Sequence, residues 1–261
     1  MSQPIAIVLA AGKGTRMKSD LPKVLVPVCG RAMIRYVLDA LRAASIRRIL
    51  VVIGYRSDLV REELAGETGV EFVEQTEQLG TGHAVMVCGD ALAGHEGPVL
   101  VVAGDSPMLQ VTSLQTLLAE FARTRPACLL GTAIRDNPHG LGRIVRDEHG
   151  EFLAIVEEKD ATLEQRAITE VNMSTYVFDG VSLLWALDQL TTNNAQAEYY
   201  ITDCPSILRN AGKPVLALAA LQPCEALSIN TPEELAVVER ELGNAPRSGT
   251  TRLTKPLTPE S

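Results

Sequence analysis

The first half of the chain alternates short β-branched runs with longer amphipathic stretches. Strands are expected over residues 5–11, 48–54, 70–74, 98–104 and 127–134, short runs that carry β-branched or other apolar residues. Between them, apolar residues recur at helical spacing over 32–44, where Met33, Val37, Leu38 and Leu41 share a face, and over 58–64, 82–92 and 112–123. Strands regularly separated by helices predict a doubly wound α/β fold, a parallel sheet covered on both faces.

Past Gly140 the texture changes. Residues 142–146 and 151–156 flank a Glu148-His149-Gly150 turn and predict an antiparallel hairpin. A strand near 171–178, helices near 182–190 and 201–211, and a strand over 215–221 follow. A last helix opens at Thr231-Pro232-Glu233-Glu234, where Thr231 can cap and Pro232 suits the first turn. Residues 243–261 are rich in Pro, Thr, Ser and Gly without apolar periodicity, and a loose tail is expected there. No internal repeat is visible.

At 261 residues and 46% apolar composition, the chain is long enough for a substantial core, which excludes global disorder. A formal charge of −8, from 24 Lys and Arg against 32 Asp and Glu, argues against a nucleic-acid partner. The five cysteines, Cys29, Cys88, Cys128, Cys204 and Cys224, form no C-x-x-C pair, and they read as small buried hydrophobes in a reducing compartment. The first apolar run stops at Gly12-Lys13, too short for a signal sequence or a membrane span, so a cytoplasmic protein without a membrane partner is expected.

The strongest local motif is Leu9-Ala10-Ala11-Gly12-Lys13-Gly14-Thr15-Arg16-Met17, followed by Leu21-Pro22-Lys23. Two glycines directly after a buried strand let backbone N–H groups approach a phosphate, while Lys13, Arg16, Lys18 and Lys23 bring positive charge. In an acidic chain this points to a small polyanion. The dinucleotide fingerprint wants a small residue where Met17 stands, and the Walker loop wants a glycine where Ile7 stands. The histidines form no H-E-x-x-H and there is no Gly-x-Ser-x-Gly elbow, so zinc-dependent and covalent hydrolysis lack support.

The loop with its downstream Leu-Pro-Lys resembles the signature of nucleotidyltransferases that make nucleoside-diphosphate sugars. Three later segments narrow the resemblance: 75–84 (QTEQLGTGHA), 155–162 (IVEEKDAT) and 193–203 (NNAQAEYYITD). Together they are similar to the N-terminal uridylyltransferase domain of the bacterial bifunctional GlmU family, over residues 4–242. The resemblance implies a nucleotidyltransferase domain over 1–242, with a nucleotide-binding half about 1–135 and a β-rich sugar-binding half about 136–230. It also implies a Mg²⁺-dependent reaction in which a sugar 1-phosphate, N-acetylglucosamine 1-phosphate in this branch, attacks the α-phosphorus of UTP and releases pyrophosphate. Arg16 and Lys23 would be catalytic. Leu9, Ala10, Ala11, Gly12, Gly14, Gln75, Gln78, Gly80 and Thr81 would bind the nucleotide, the two glutamine amides facing the uracil edge.

By the same resemblance, Gly142, Glu157, Asn172, Tyr200 and Thr202 would contact the sugar. Asp105 and Asn230 would hold Mg²⁺, and Asp105 also ends a predicted strand, where open α/β sheets place ligands. Two positions depart from the family pattern. Asn172-Met173-Ser174 stands where Asn-Thr-Gly or Asn-Ser-Gly is usual, and Ala103 replaces an aromatic two residues before Asp105. These departures leave glucose 1-phosphate open as an alternative sugar. Another nucleotide, or a non-catalytic sugar-nucleotide sensor, is a further alternative; the glutamine segment argues against the first, and Lys23, Asp105 and Asn230 together argue against the second. The family's C-terminal β-helix acetyltransferase is built on hexapeptide repeats, and since this sequence has none, acetyl transfer is not expected of it. The oligomeric state stays open.

Overall fold

The computed structural model describes residues 2–14, 17, 19–227, 229 and 231–244. Its frame is a nine-stranded mixed sheet. Strand β1 (Ile5–Leu9) follows the N-terminus, and a small hairpin of β2 (Pro27–Val28) and β3 (Arg31–Ala32) lies outside the sheet. Then come β4 (Arg48–Ile53), β5 (Val70–Glu74), β6 (Pro98–Ala103), β7 (Cys128–Ile134), β8 (Arg143–Arg146), β9 (Phe152–Val156), β10 (Glu170–Asp179) and β11 (Val215–Leu218). The order across the sheet is β11-β7-β10-β6-β1-β4-β5.

β1 is flanked in parallel by β4 and β6, with Ile5 opposite both Arg48 and Val99. The chain moves outward from β1 on one side through β4 and β5, then returns to the other side with β6. This reversal opens a crevice at the carboxyl ends of β1 and β6. Side chains alternate strictly between two cores. Ile5, Ile7, Val99 and Val101 enter one, while Ala6, Val8, Leu100 and Val102 enter the other.

The α/β expectation holds, with one topological difference. β10 runs antiparallel to both neighbours, β6 and β7, in the middle of the sheet. The hairpin β8–β9 explains it: β8 pairs with β9 and, through Arg143 opposite Val171, with the start of β10. The strand therefore enters from the cleft side and runs back down, and the hairpin extends the main sheet.

Helices α1 (Met33–Ala43), α2 (Ser57–Glu63) and α5 (Val111–Thr124) fall where the periodicity puts them. The stretch 82–92 is instead two pieces, α3 (Thr81–Met86) and α4 (Gly89–Leu92), the second opening on Gly89, a poor helix former. A short α6 (Leu163–Arg166) was not expected, although Thr162 and Gln165 make a full capping box. α7 (Gly180–Leu187) starts early because the Asp179 carboxylate accepts from Ser182 N at 2.9 Å. α8 (Asp203–Asn210) starts two residues late. The last helix, α9 (Pro232–Asn244), is capped as expected, with Thr231 and Glu234 bonding reciprocally at 3.2 and 3.3 Å. It runs into the stretch expected to be a tail, of which 245–261 lie outside the described residues.

The cysteine expectation needs correction. Cys88, Cys128 and Cys204 are buried, but Cys224 is partly exposed and Cys29 is exposed; all five are free. Among the described residues, no helix is long and apolar enough to cross a membrane.

Candidate active site

A cleft of about 390 Å³ opens at the carboxyl ends of β1, β5 and β6. Its walls include Leu9, Ala11, Gly12, Lys23, Gln75 and Gln78. Gly80, Thr81, Asp105, Glu157 and Thr202 complete the expected residues that it gathers. A larger hollow of about 590 Å³ mixes Arg125 and Lys213 with Glu96 and Asp179, and holds none of them.

The loop after β1 is positioned by backbone. Ala10 N donates to Val52 O at 2.9 Å, and Ala11 O accepts from Tyr55 N at 3.1 Å and from Gln78 Nε2 at 3.0 Å. Gly14 has φ +67°, and a Cβ there would stand 2.6 Å from Lys23 Cβ. Only glycine lets the loop lie so close against that lysine. Lys23 Nζ meets Asp105 Oδ2 at 2.5 Å across the cleft mouth.

Gln75 is 4% exposed, and its Nε2 donates to Gly80 O at 3.1 Å, with His83 Nδ1 also at 3.1 Å. Both glutamine amide nitrogens are thus bound within the protein. Among the described residues neither Oε1 has a hydrogen-bond donor, so two acceptors remain at this end. The segment is zipped to residues 199–201: Gly82 N donates to Tyr199 O at 2.7 Å, Tyr199 N to Leu79 O at 2.8 Å, and Ile201 N to Thr81 Oγ1 at 3.2 Å. Gly80 makes this possible at φ +107°, since a Cβ would fall 2.6 Å from Tyr199 O.

At the hairpin end, Glu157 and Thr202 line the cleft together. Burial raises the pKa of Glu157, Thr202 opposes the rise, and Asp160 and Asp203 add to it. Asp203 is raised as well, by burial and then by Asp160. Gly142 lies against this pair: a Cβ there would be 3.5 Å from Asn172 Cβ and 3.6 Å from Glu157 Oε1, and Gly142 O accepts from Asn172 N at 2.8 Å.

Not every expected residue faces the cleft. Asn172 lines an adjoining recess of about 120 Å³ that shares Ala103, Asp105 and Ser174 with it. Ala10 is buried beneath the loop and Tyr200 behind the wall, both away from the lining. The Tyr200 hydroxyl is buried without a hydrogen-bond partner among the described residues, and burial beside Asp160 and Glu157 pushes it up to about 12. Arg16 and Asn230 lie outside the described residues.

Three features escaped the sequence. Glu198 lines the cleft, inside a segment that had been singled out but with no distinct role. Fully buried Tyr176 accepts from Asn172 Nδ2 at 2.7 Å. Ser174 sits at φ +50°, in the strand bulge between Asn172 and Thr175. Nothing in the local sequence predicts the bulge, although the departure from a usual glycine marked the position.

Residues 6–172 match the MobA-like NTP transferase domain family. The chain belongs to this family. Within this NTP transferase family, it is 48% identical to the bifunctional protein GlmU of Streptococcus gordonii over 234 residues, covering 90% of this chain and 50% of that one. The bifunctional protein GlmU of Lactococcus lactis subsp. lactis is 47% identical over 238 residues, 91% of this chain and 51% of that protein. The chain therefore spans about half the length of the curated relatives it matches. A solved UDP-glucose pyrophosphorylase complexed with UDP-glucose superposes with a TM-score of 0.72 at 17% identity, covering 93% of this chain and 99% of that one; it shares the fold.

Proposed function

We propose that this NTP transferase chain transfers UMP from UTP to N-acetylglucosamine 1-phosphate, forming UDP-N-acetylglucosamine and pyrophosphate. The observation that carries this reading is that one cleft joins two glutamine acceptors, the glycine loop with the Lys23–Asp105 pair, and the Glu157–Thr202 pair. The GlmU relatives, at 47–48% identity over nine-tenths of the chain, support it.

Each end has a separate task. Uracil carries a proton on N3 that a glutamine Oε1 can accept, whereas cytosine has a lone pair there and would leave the acceptor facing an acceptor. Lys23 exchanges Asp105 for phosphate oxygens when the triphosphate arrives, and with Arg16 it neutralises charge that builds on the phosphates. A phosphate oxygen of the sugar 1-phosphate attacks the α-phosphorus, the α–β bridging P–O bond breaks, and pyrophosphate leaves. The nucleophile is already an anion, so no side chain has to remove a proton. Glu157 accepts hydrogen bonds from sugar hydroxyls, and Asn172, Gly142 and Tyr200 shape the wall around them.

Among the described residues no three His, Cys, Asp or Glu side chains converge as metal ligands. One aspartate at the cleft mouth nevertheless suits Mg²⁺, which commonly takes one or two carboxylates and fills its shell with substrate phosphates and water. Asp105, with Asn230, would hold the ion, which would supply further charge neutralisation. The reading places the enzyme in the cytoplasm, a setting that suits five free cysteines.

Pyrophosphate release, screened with four nucleoside triphosphates against N-acetylglucosamine, glucose and glucosamine 1-phosphates, tests the proposal. Turnover is expected with UTP and N-acetylglucosamine 1-phosphate. A clear preference for glucose 1-phosphate, the reading that Ser174 in the cleft wall keeps open, would change the sugar and leave the reaction intact. Nucleotide binding without pyrophosphate release under any pairing would make the chain a sensor.

A further inference from the structure

Segments far apart in the chain meet behind the cleft. Met17 from the glycine loop, Val26 and Val28 just past Lys23, Met108 beyond Asp105, and Ile229 pack with Met33 and with Val238 of α9. This apolar cluster is separate from the two sheet cores, and its most exposed member, Met17, is only 8% exposed. A polar contact reinforces it, as Cys29 N donates to Glu239 Oε1 of α9 at 2.9 Å. On the other side, the Tyr36 hydroxyl of α1 donates to Val28 O at 2.8 Å.

The elements that this cluster joins need an external brace. The glycine loop leaves the sheet ladder after Ala10, and within it Met17 N turns back to Gly14 O at 3.0 Å. The Lys23–Asp105 pair keeps 16% and 26% side-chain exposure at the cleft mouth, and a partly exposed ion pair does not by itself fix the distance between the two segments that carry it. Buried apolar packing, by contrast, has few low-energy arrangements. No described side chain of α9 lines the cleft.

We propose that the Met17–Val26–Met108–Ile229–Val238 cluster, closed by α9, sets the spacing of the glycine loop, Lys23 and Asp105, which makes Val238 and Glu239 positioning residues for phosphate chemistry. The inference rests on the reading of those three elements as the phosphate end of the cleft. It also makes α9, rather than the sheet, the element through which a perturbation at the C-terminal end of the domain reaches the reacting phosphates.

The test compares two matched truncations. Val238→Ala and Val60→Ala each remove two methyl groups from a fully buried valine, the second in α2, away from the cleft lining. Both should lower the melting temperature by about 2–6 °C. Only Val238→Ala should lower kcat, by about tenfold at a temperature where both variants are folded, because small misplacements of positioned groups are costly. Amide exchange over residues 12–28 should speed up in Val238→Ala and not in Val60→Ala. This readout needs no turnover, so it decides the inference even if the assumed substrates are wrong. Glu239→Gln, which keeps the shape and weakens only the bond to Cys29 N, should give a smaller change in the same direction and covers the case in which Val238→Ala does not fold. A Val238→Ala protein with wild-type exchange over 12–28, or exchange raised equally in Val60→Ala, would overturn the proposal.

Discussion

At the glycine-loop end the side chains of Lys23, Gln75 and Gln78 are set by backbone that only glycine allows: Gly14, packed against Lys23, and Gly80, in the cleft wall, hold positive φ, and a Cβ at either would overlap a neighbour at 2.6 Å. At the hairpin end the walls are side chains, with Glu157 and Asp203 raised by burial and Ser174 strained at φ +50°. Backbone of this kind is all-or-none, because it fits or it does not, whereas a wall of buried polar side chains can be adjusted one group at a time. We infer that the first end recognises what is common to every turnover, the triphosphate and base, and that the second recognises the variable partner, the sugar.

The largest effect expected at the backbone end is loss of the Lys23 charge. Lys23→Ala should reduce kcat by about 10²–10³-fold, the range for a lost electrostatic contact at a reacting phosphate, with the fold retained. A near-wild-type rate would remove the loop from the chemistry. Gly80→Ala should cost about 1–3 kcal/mol of stability, the scale of forced backbone strain, and should free residues 199–201 from the segment 75–82. Denaturant unfolding and amide exchange report both effects.

At the side-chain end, Glu157→Gln should lower kcat/KM for the sugar phosphate by roughly 10–100-fold, the worth of a hydrogen bond to a charged group. Its stability effect should have the opposite sign. Glu157 is raised in the folded state, so the folded protein holds its proton more tightly than the unfolded chain, and stability falls as pH rises through that interval. The glutamine variant escapes this loss. It should melt higher than the wild type at neutral pH, and the difference should close below the ordinary carboxylate range, where Glu157 is protonated in both states. A variant that melts lower at neutral pH would mean that burial does not penalise this carboxylate.

The smallest effect separates strain from function. Ser174→Gly relieves a left-handed conformation that costs about 1 kcal/mol for a residue with a Cβ, and the melting temperature should rise by about 2–4 °C. Discrimination between N-acetylglucosamine and glucose 1-phosphates should change with it, since Ser174 lines both the cleft and the adjoining recess.

The two ends also differed in how far the sequence could be read. Alternating β-branched runs and the glycine spacing were enough to place β1, β4, β5 and β6 and the turn at Ala11 to Gly14, because parallel strands and glycine turns are local patterns. The hairpin end depends on contacts between distant residues. The antiparallel course of β10, the bulge that strains Ser174 and the approach of Asp203 to Glu157 all arise from pairing that no short window contains. The cap of α9 was legible in Thr231-Pro232-Glu233-Glu234, but what α9 packs against was not.

The division of labour between the two ends is tested most directly by measuring two selectivity ratios in the same variants: UTP against CTP, and N-acetylglucosamine 1-phosphate against glucose 1-phosphate. The account predicts that Gln75→Ala shifts the first ratio and leaves the second within about twofold, while Glu157→Gln and Ser174→Gly do the reverse, as expected for side chains that make no direct contact with one another. If either class of variant moves both ratios together, the two ends form one coupled site and the account is contradicted.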